Sequence, residues 1–264
     1  MKVIVVGAGW LARQLVQPLQ QAGVELWLTS RDSRTVAELG ELGLLLRFDA
    51  DDLNNPALLQ RFSGAVVLCL IPASRSNPAL YLASLTRLCQ LMVTAGSLAC
   101  IHISSSGIYQ GLTGLVNEEA ELQLTDSRVA LLYQAEQLVS QSVPSCTLRL
   151  AGLIGPGRHP GRFMAGKVVP DSQGAVNMVH SQDISRFIVQ VLHQQLWPAT
   201  YNLSSPEFCC RAEFYQQACA ALGTPAAGLD GLNLDSRQVD SGKAMQVADF
   251  RFAYPSALQA IADC

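Results

Sequence analysis

The stretch Val3-Ile-Val-Val-Gly7-Ala-Gly9-Trp-Leu-Ala12 passes from an apolar, β-branched run through a glycine turn into a segment with helical spacing. Each small residue has a physical reason. Gly7 permits the tight turn, Gly9 lets a pyrophosphate approach the backbone, and Ala12 allows the helix to pack closely on the strand. The stretch therefore predicts a β-α-β unit that binds a dinucleotide at the helix N-terminus, where N–H groups and the helix dipole favour phosphates.

The alternation of strand and helix patterns continues through the first half of the chain. Apolar runs that lack polar alternation predict strands buried on both faces at Lys2–Val6, Glu25–Thr29, Leu44–Phe48, Ala65–Ile71, Cys100–Ser104 and Ser145–Leu150. Helical spacing predicts helices between them at Trp10–Ala22, Ser33–Leu42, Pro78–Ala95 and Asp126–Ser142. Right-handed crossovers place such helices on both faces of a sheet. The predicted fold class is α/β, a doubly wound parallel sheet of the Rossmann type.

Beyond Leu150 the composition changes to a loop rich in glycine and proline, running from Gly152 to Gly166. A helix at Asp183–Leu196 and a strand at Thr200–Leu203 are then predicted to return to the sheet, and a further helix is predicted at Arg211–Leu222. The sequence thus predicts a Rossmann core of residues 1–152 and 176–203. A small C-terminal substrate lobe, residues 153–175 and 204–264, completes a single compact unit.

Composition excludes several classes of partner. The 264 residues carry a net charge of −3 with no run of Lys or Arg, so neither nucleic acid nor anionic lipid is an expected partner. The longest apolar run, Ala65 to Pro72, is far shorter than the roughly 20 residues that cross a bilayer. We expect a cytoplasmic protein with a small-molecule partner, compatible with a homodimer. The eight cysteines form no CxxC pair, so no disulfide and no metal site is predicted.

The end of the second predicted strand bears on which nucleotide is bound. It reads Leu28-Thr-Ser30-Arg31-Asp-Ser-Arg34, and the side chains of Ser30, Arg31 and Arg34 suit a 2′-phosphate. Asp32, which could instead accept from a ribose 2′-OH, lies one position late. The sequence favours NADP over NAD as cofactor. The other predicted cofactor contacts are Trp10 and Leu11 at the helix start, Ile71, Pro72 and Ala73 after the fourth strand, and Ala151 and Gly152 after the sixth.

The motif Cys100-Ile-His-Ile-Ser-Ser105-Ser-Gly-Ile-Tyr109 resembles the extended short-chain dehydrogenase/reductase superfamily, in its NAD(P)-dependent epimerase/dehydratase-like branch. Further matches in family order are Asp49, Leu148–Arg158, Val176–Asp183 and Tyr201–Leu203. The stretch Arg149–Lys167 is most similar to a little-characterised bacterial group. The resemblance implies that Asp49 lies in the cofactor site and that Ser105 binds the reacting carbonyl or hydroxyl.

The chain departs from the family at the catalytic helix. The resemblance implies a Tyr-x-x-x-Lys whose Lys lowers the Tyr pKa and holds the ribose, but Arg128 and Leu132 occupy those two positions. An atypical member is therefore expected. Tyr109, on the same loop as Ser105, is the predicted replacement proton donor, although packing beside the cofactor is the alternative.

Four basic or ionisable side chains, Arg158, His159, Arg162 and Lys167, fall in the glycine-rich loop. Loops at the carboxyl edge of an open α/β sheet bind ligands, so they predict an anion site, with satisfaction of loop carbonyls as the alternative. Asn177 and His180 are further candidate substrate contacts, a structural histidine being equally compatible. Two functions stay open: an NADP-dependent oxidoreductase or epimerase-like enzyme for an anionic, sugar-derived substrate, and a non-catalytic NADP-binding regulator or scaffold.

Overall fold

A computed structural model describes residues 1–30, 55–74, 76–234 and 236–264. The predicted helix Ser33–Leu42 and strand Leu44–Phe48 lie outside the described residues, as do Arg31, Arg34 and Asp49. The chain forms two compact units: unit 1 is Met1–Ser104, Ala130–Leu148 and Val191–Thr200, and unit 2 is Ser105–Val129, Arg149–Gln190 and Tyr201–Cys264. These bounds differ from the predicted core and lobe, because residues 105–129 bond to later parts of unit 2.

The elements in chain order are β1 (Lys2–Val6), α1 (Trp10–Gln21), β2 (Glu25–Thr29), α2 (Pro56–Phe62), β3 (Val66–Cys69), α3 (Pro78–Ala95), β4 (Ala99–Ser105), β5 (Leu115–Val116), α4 (Ser127–Ser140), β6 (Ser145–Leu150), β7 (Gly152–Ile154), α5 (Gly161–Met164), β8 (Val168–Val169), β9 (Met178–His180), α6 (Ser181–Gln194), β10 (Ala199–Leu203), α7 (Arg211–Leu222), β11 (Gly228–Leu229), β12 (Gln238–Val239) and α8 (Gly242–Met245). Short 3₁₀ helices occupy Ser106–Tyr109 and Gln259–Asp263.

The central sheet has six strands in the order β10-β6-β4-β3-β1-β2. β1 pairs in parallel with β2 on one side, Val3 opposite Leu26, and with β3 on the other, Val3 opposite Val66. The chain thus reverses its direction of winding at β1. The carboxyl ends of β1 and β3 form the switch point at which open α/β sheets bind ligands. The predicted doubly wound parallel sheet is confirmed.

One face of the sheet is covered by α3 and α4. Ile4, Val67 and Cys100 from three adjacent strands pack with Leu85 of α3 and Ala135 of α4, all buried. α3 matches its prediction because its ends are signalled locally. The Asn77 side chain accepts from Leu80 N at 3.0 Å before Pro78, and Gly96 closes the helix in the left-handed conformation. The seven-residue α2 was not predicted, although Asn55 and Pro56 carry the same N-terminal signal.

The glycine-rich segment of unit 2 is more ordered than its loop composition predicts. It contains β7, α5 and β8, and α5 packs on α7 so tightly that a Cβ at Gly161 would overlap the carbonyl of Ala218. α7 begins at Cys210, whose sulfur accepts from Glu213 N, and Cys209 is buried in the neighbouring apolar cluster. The Cys209-Cys210 pair is therefore structural.

The described residues can be searched for disulfides, metal sites and membrane-spanning helices. All eight cysteines lie there and are free thiols. In this part of the chain, His, Cys, Asp and Glu side chains form no group that could hold a metal ion. None of the helices within it is long and apolar enough to cross a bilayer.

Candidate functional site

The first glycine of the turn after β1 is required by the fold itself. Gly7 has φ +102°, a conformation that side chains rarely adopt, and a Cβ there would lie 3.1 Å from the Leu70 carbonyl oxygen. Its N–H donates to Thr29 Oγ1 at 3.3 Å, which ties the turn to β2. Gly7 therefore serves the turn, as its place in the motif predicts.

The second glycine of the turn has open space beside it among the described residues. Gly9 precedes α1 with φ −82° in extended conformation, and a Cβ built there meets no described atom within 4 Å. α1 has no side-chain N-cap bond and no acid in its first turn among the described residues, so its leading N–H groups can receive an anion. Open space beside Gly9 and these donors fit a pyrophosphate.

The other predicted cofactor residues divide between the two units. In unit 1, Leu11 and Ala12 lie on the buried face of α1, and Pro72 is exposed. The half-buried residues are Trp10, Ser30, Ile71 and Ala73. In unit 2, the Ala151 N–H donates to the Leu203 carbonyl at 3.0 Å, and a Cβ at Gly152 would overlap Met178 Sδ. Packing alone thus explains the small side chain at Gly152.

Ser105 ends β4 with its hydroxyl in a position to donate. Its Oγ accepts from Gly107 N at 3.0 Å and so caps the following 3₁₀ helix. Among the described residues the hydroxyl has no acceptor, and the side chain is only half-buried. Ser105 can therefore donate a hydrogen bond to a substrate oxygen.

Tyr109, the predicted proton donor, is held by two side chains inside unit 2. The residue is fully buried, its hydroxyl donates to Asn202 Oδ1 at 2.9 Å, and it accepts from Arg149 Nη1 at 2.8 Å. Burial raises the pKa of the phenol, although the Arg149 charge acts in the opposite direction. A buried phenol held by two partners supports the packing of unit 2, and its role as proton donor stays a prediction that these contacts do not favour.

The Tyr109 network was missed because its members are far apart in sequence. Arg149 also donates to the Glu118 carbonyl at 3.3 Å, and Glu118 Oε1 accepts from Asn202 N at 2.6 Å. Asn202 Nδ2 donates to the Asp240 carbonyl at 3.1 Å. The network joins four segments of unit 2, and no local motif announces it.

The predicted anion site of the glycine-rich loop is only partly supported. Arg158 Nε donates to the Leu153 carbonyl at 2.9 Å and Lys167 Nζ to the Phe163 carbonyl at 3.1 Å, both side chains being exposed. These two cations thus serve loop carbonyls, the alternative left open above. His159 is buried, its Nδ1 accepts from Gly161 N at 3.0 Å, and burial lowers its pKa, aided by the Arg162 charge. A neutral His159 adds no cation for an anion, and Arg162 remains exposed.

Asn177 and His180 hold the backbone of unit 2. Asn177 Nδ2 donates to the Arg237 carbonyl at 2.9 Å, and Oδ1 accepts from Val239 N at 2.7 Å. His180 is buried with its ring centroid 4.4 Å from that of Tyr254, and Nδ1 accepts from Gln182 N at 3.2 Å. These groups are occupied within the fold, which does not favour either residue as a substrate contact.

Asp183 does not cap its helix. Its carboxylate accepts from the N–H groups of Ala253 and Tyr254 and is fully buried, so it anchors the C-terminal segment of unit 2 to α6. Burial raises the pKa of this carboxyl, and the two backbone bonds oppose the rise. The anchor joins residues about 70 positions apart, which the sequence pattern alone does not reveal.

The resemblance assigns the acid/base pair to α4, at the positions of Arg128 and Leu132. Leu132, in place of the expected Lys, is 1% exposed. Arg128 lies in the first turn of α4, where Asp126 Oδ1 accepts from its N–H at 2.8 Å. Neither residue can lower the pKa of a phenol by the usual route.

Comparison with known proteins identifies similar chains over almost the whole length. The family model described as "NAD dependent epimerase/dehydratase family" matches residues 3–203. The Escherichia coli (strain K12) "Protein YeeZ" is 32% identical over 274 residues, covering 97% of each chain.

Two solved structures show the same fold at low sequence identity. The human epimerase family protein SDR39U1 with NADPH is 19% identical with a TM-score of 0.77, covering 99% of this chain and 98% of that one. The UDP-glucuronic acid 4-epimerase from Bacillus cereus in complex with NAD is 17% identical with a TM-score of 0.78, covering 100% and 97%.

Proposed function

The chain belongs to the NAD dependent epimerase/dehydratase family, and from this premise we propose that it binds NADP and acts as an oxidoreductase or epimerase-like enzyme on an anionic, sugar-derived small molecule. The proposed chemistry runs without the Tyr-x-x-x-Lys pair. Members of the extended short-chain dehydrogenase/reductase superfamily bind a nicotinamide dinucleotide, and this coarser assignment follows from the family itself. NADP preference and substrate class are the new elements.

One observation carries the nucleotide part of the proposal: a Cβ built at Gly9 meets no atom within 4 Å in the part of the chain that the structure describes. Glycine costs conformational entropy relative to alanine, so a glycine with room for a side chain points to something outside the chain. A dinucleotide pyrophosphate at the N-terminus of α1 would fill that room. The sequence favours NADP because Ser30, Arg31 and Arg34 would suit its 2′-phosphate.

The substrate part of the proposal rests on Ser105. A bound nicotinamide would supply the hydride acceptor or donor. Ser105 would donate a hydrogen bond to the reacting oxygen, since its hydroxyl has no acceptor among the described residues. The similarity to a UDP-glucuronic acid 4-epimerase makes an anionic sugar derivative a reasonable substrate class.

The cofactor preference predicts the effect of Arg31→Ala. A charge-assisted hydrogen bond to the 2′-phosphate contributes about 1.5–3 kcal/mol, so NADP affinity should fall by roughly 10- to 150-fold. NAD affinity should hardly change because NAD lacks that phosphate. Fluorescence titration of both nucleotides with wild type and variant measures this. Equal wild-type affinities for the two nucleotides would overturn the preference.

A second candidate function is a non-catalytic NADP-binding regulator or scaffold. Two observations favour it: Leu132 is buried where the catalytic Lys is expected, and Tyr109 is fully buried. The two functions share the nucleotide site and differ in whether bound NADPH is consumed.

We expect no appreciable NADPH oxidation with a broad panel of simple aldehydes and ketones. An unperturbed Tyr has a pKa of about 10 and needs a cationic neighbour to act near neutral pH, and neither Arg128 nor Leu132 provides the usual arrangement. Absorbance at the NADPH band measures the rate. Turnover typical of the superfamily that survives Ser105→Ala would show that the active site is misplaced, whereas turnover lost in that variant would assign the chemistry to Ser105.

A further inference from the structure

The C-terminal segment of unit 2 packs against the glycine-rich loop. We call residues 253–263 the C-terminal strap. The strap residues that share one buried apolar cluster with Ile154 of β7 are Ala257, Ala260 and Ile261. Gly155 follows Ile154 directly and has φ +146°, so the chain turns sharply where the strap meets the loop. The positions of the strap and of this part of the loop therefore depend on each other.

His180 lies where the strap and the loop meet. In the parallel pairing of β7 and β9 it stands opposite Ile154, and a Cβ added to Gly155 would lie 3.3 Å from its Nε2. The same Nε2 lies 3.2 Å from the Asp263 carbonyl oxygen, and the ring centroid lies 4.4 Å from that of Tyr254. One buried imidazole thus contacts both ends of the strap and approaches the backbone of the loop.

The neutral form of His180 uses both ring nitrogens. Nδ1 accepts from Gln182 N at 3.2 Å, so it carries no proton. Nε2 therefore carries the proton and donates it to the Asp263 carbonyl. A second proton would have to bind Nδ1, where it would face the Gln182 N–H. The imidazolium cannot keep this arrangement, so protonation opposes the contact between the ring and the strap.

The titratable groups around His180 leave it as the group that responds to mild acid. Burial lowers its pKa, and the Asp263 carbonyl and the carboxylates of Asp183 and Asp263 only partly oppose this. Burial raises the pKa of Asp183, so proton uptake there favours the folded form instead. Tyr254 donates to Asp263 Oδ2 at 2.7 Å, and its pKa of about 12 keeps it neutral, as a pKa of about 11 does for Cys264.

We propose that His180 is a pH-sensitive switch: its neutral form holds the strap closed on the glycine-rich loop, and its protonated form releases both. An exposed imidazole takes up a proton more readily than the buried one, so acid shifts the equilibrium toward the open strap. Each pH unit below 6.5, the ordinary pKa of histidine, favours opening by up to about tenfold. The inference goes beyond the proposed function and does not depend on it, since neither NADP nor substrate takes part.

Hydrogen–deuterium exchange of the full chain tests the switch. Exchange rates between pH 7.5 and pH 5.0 are divided by those of an unstructured chain at the same pH, which gives the protection of each segment. In wild type, we expect the protection of the strap and of residues 155–167 to fall by about tenfold as the pH falls through this range. The helix α3 in unit 1 is the internal reference and should keep its protection.

Two variants separate the switch from a structural role. His180→Asn keeps an acceptor near Gln182 N and His180→Gln keeps a donor near the Asp263 carbonyl, but neither side chain titrates. Each should give strap protection that does not change with pH, whatever its level, whereas His193→Gln, at an exposed histidine, should follow wild type. The proposal is overturned by wild-type protection that is constant with pH, by a fall that persists in both His180 variants, or by an equal fall in α3.

Discussion

Gly9→Ala is expected to weaken NADP binding by roughly 100-fold while leaving the protein at least as stable as wild type. The added methyl group meets no described atom within 4 Å, and the extended conformation at φ −82° is open to alanine. A pyrophosphate packed against the turn would collide with it, and overpacking of this kind costs about 3 kcal/mol. Alanine also restricts the unfolded chain, which adds about 0.4–1 kcal/mol of stability.

Gly7→Ala is the matched control. Its φ of +102° and the 3.1 Å approach to the Leu70 carbonyl oxygen predict a loss of stability whether or not nucleotide is present. Thermal unfolding and fluorescence titration of both variants measure the two effects. If Gly9→Ala binds NADP with wild-type affinity, the turn after β1 is not the phosphate site.

The difference between the two glycines shows what the motif could and could not predict. Spacing alone placed Gly7 and Gly9 in a β-α-β unit, because strand burial and helical periodicity are local patterns. That Gly7 serves the turn while Gly9 leaves room depends on the distance from each glycine to Leu70, the residue that follows β3. The sequence thus predicts the β-α-β unit, whereas the role of each glycine depends on atoms that are distant in sequence.

The substrate side was less predictable for a related reason. Tyr109 looked accessible because it follows a serine-rich loop, yet its partners Arg149 and Asn202 lie 40 and 93 residues away. Such long-range polar contacts carry no periodic signature, so the sequence did not predict the buried network around Tyr109.

His102 leads to the largest predicted dependence of stability on pH. This residue of β4 is fully buried in unit 1, and neither ring nitrogen has a hydrogen-bond partner among the described residues. Burial lowers its pKa from 6.5 to about 4, and the Glu136 carboxylate of α4 only partly opposes the shift. The imidazole is therefore neutral in the folded protein at pH 7.

The sign of the effect follows from proton uptake. Between pH 6.5 and about 4 the unfolded chain binds a proton at His102 that the folded chain does not, so stability falls as pH falls through this window. A pKa difference of this size corresponds to about 3 kcal/mol. The titratable groups around His102 are Glu136 and the thiols of Cys69 and Cys100. Burial raises the pKa values of the two thiols, which therefore do not titrate in this window.

His102→Leu should remove this dependence. Denaturant unfolding of wild type and variant from pH 8 to pH 4 is expected to give a difference in free energy of unfolding that grows in favour of the variant by about 3 kcal/mol. At pH 8 the variant should already match wild type, since an imidazole with two unpaired nitrogens contributes no hydrogen bond to lose. His193→Gln, at an exposed histidine, is the control and should follow wild type. Parallel curves for wild type and His102→Leu would mean that His102 titrates alike in both states, and hence that it finds a proton acceptor or water in solution.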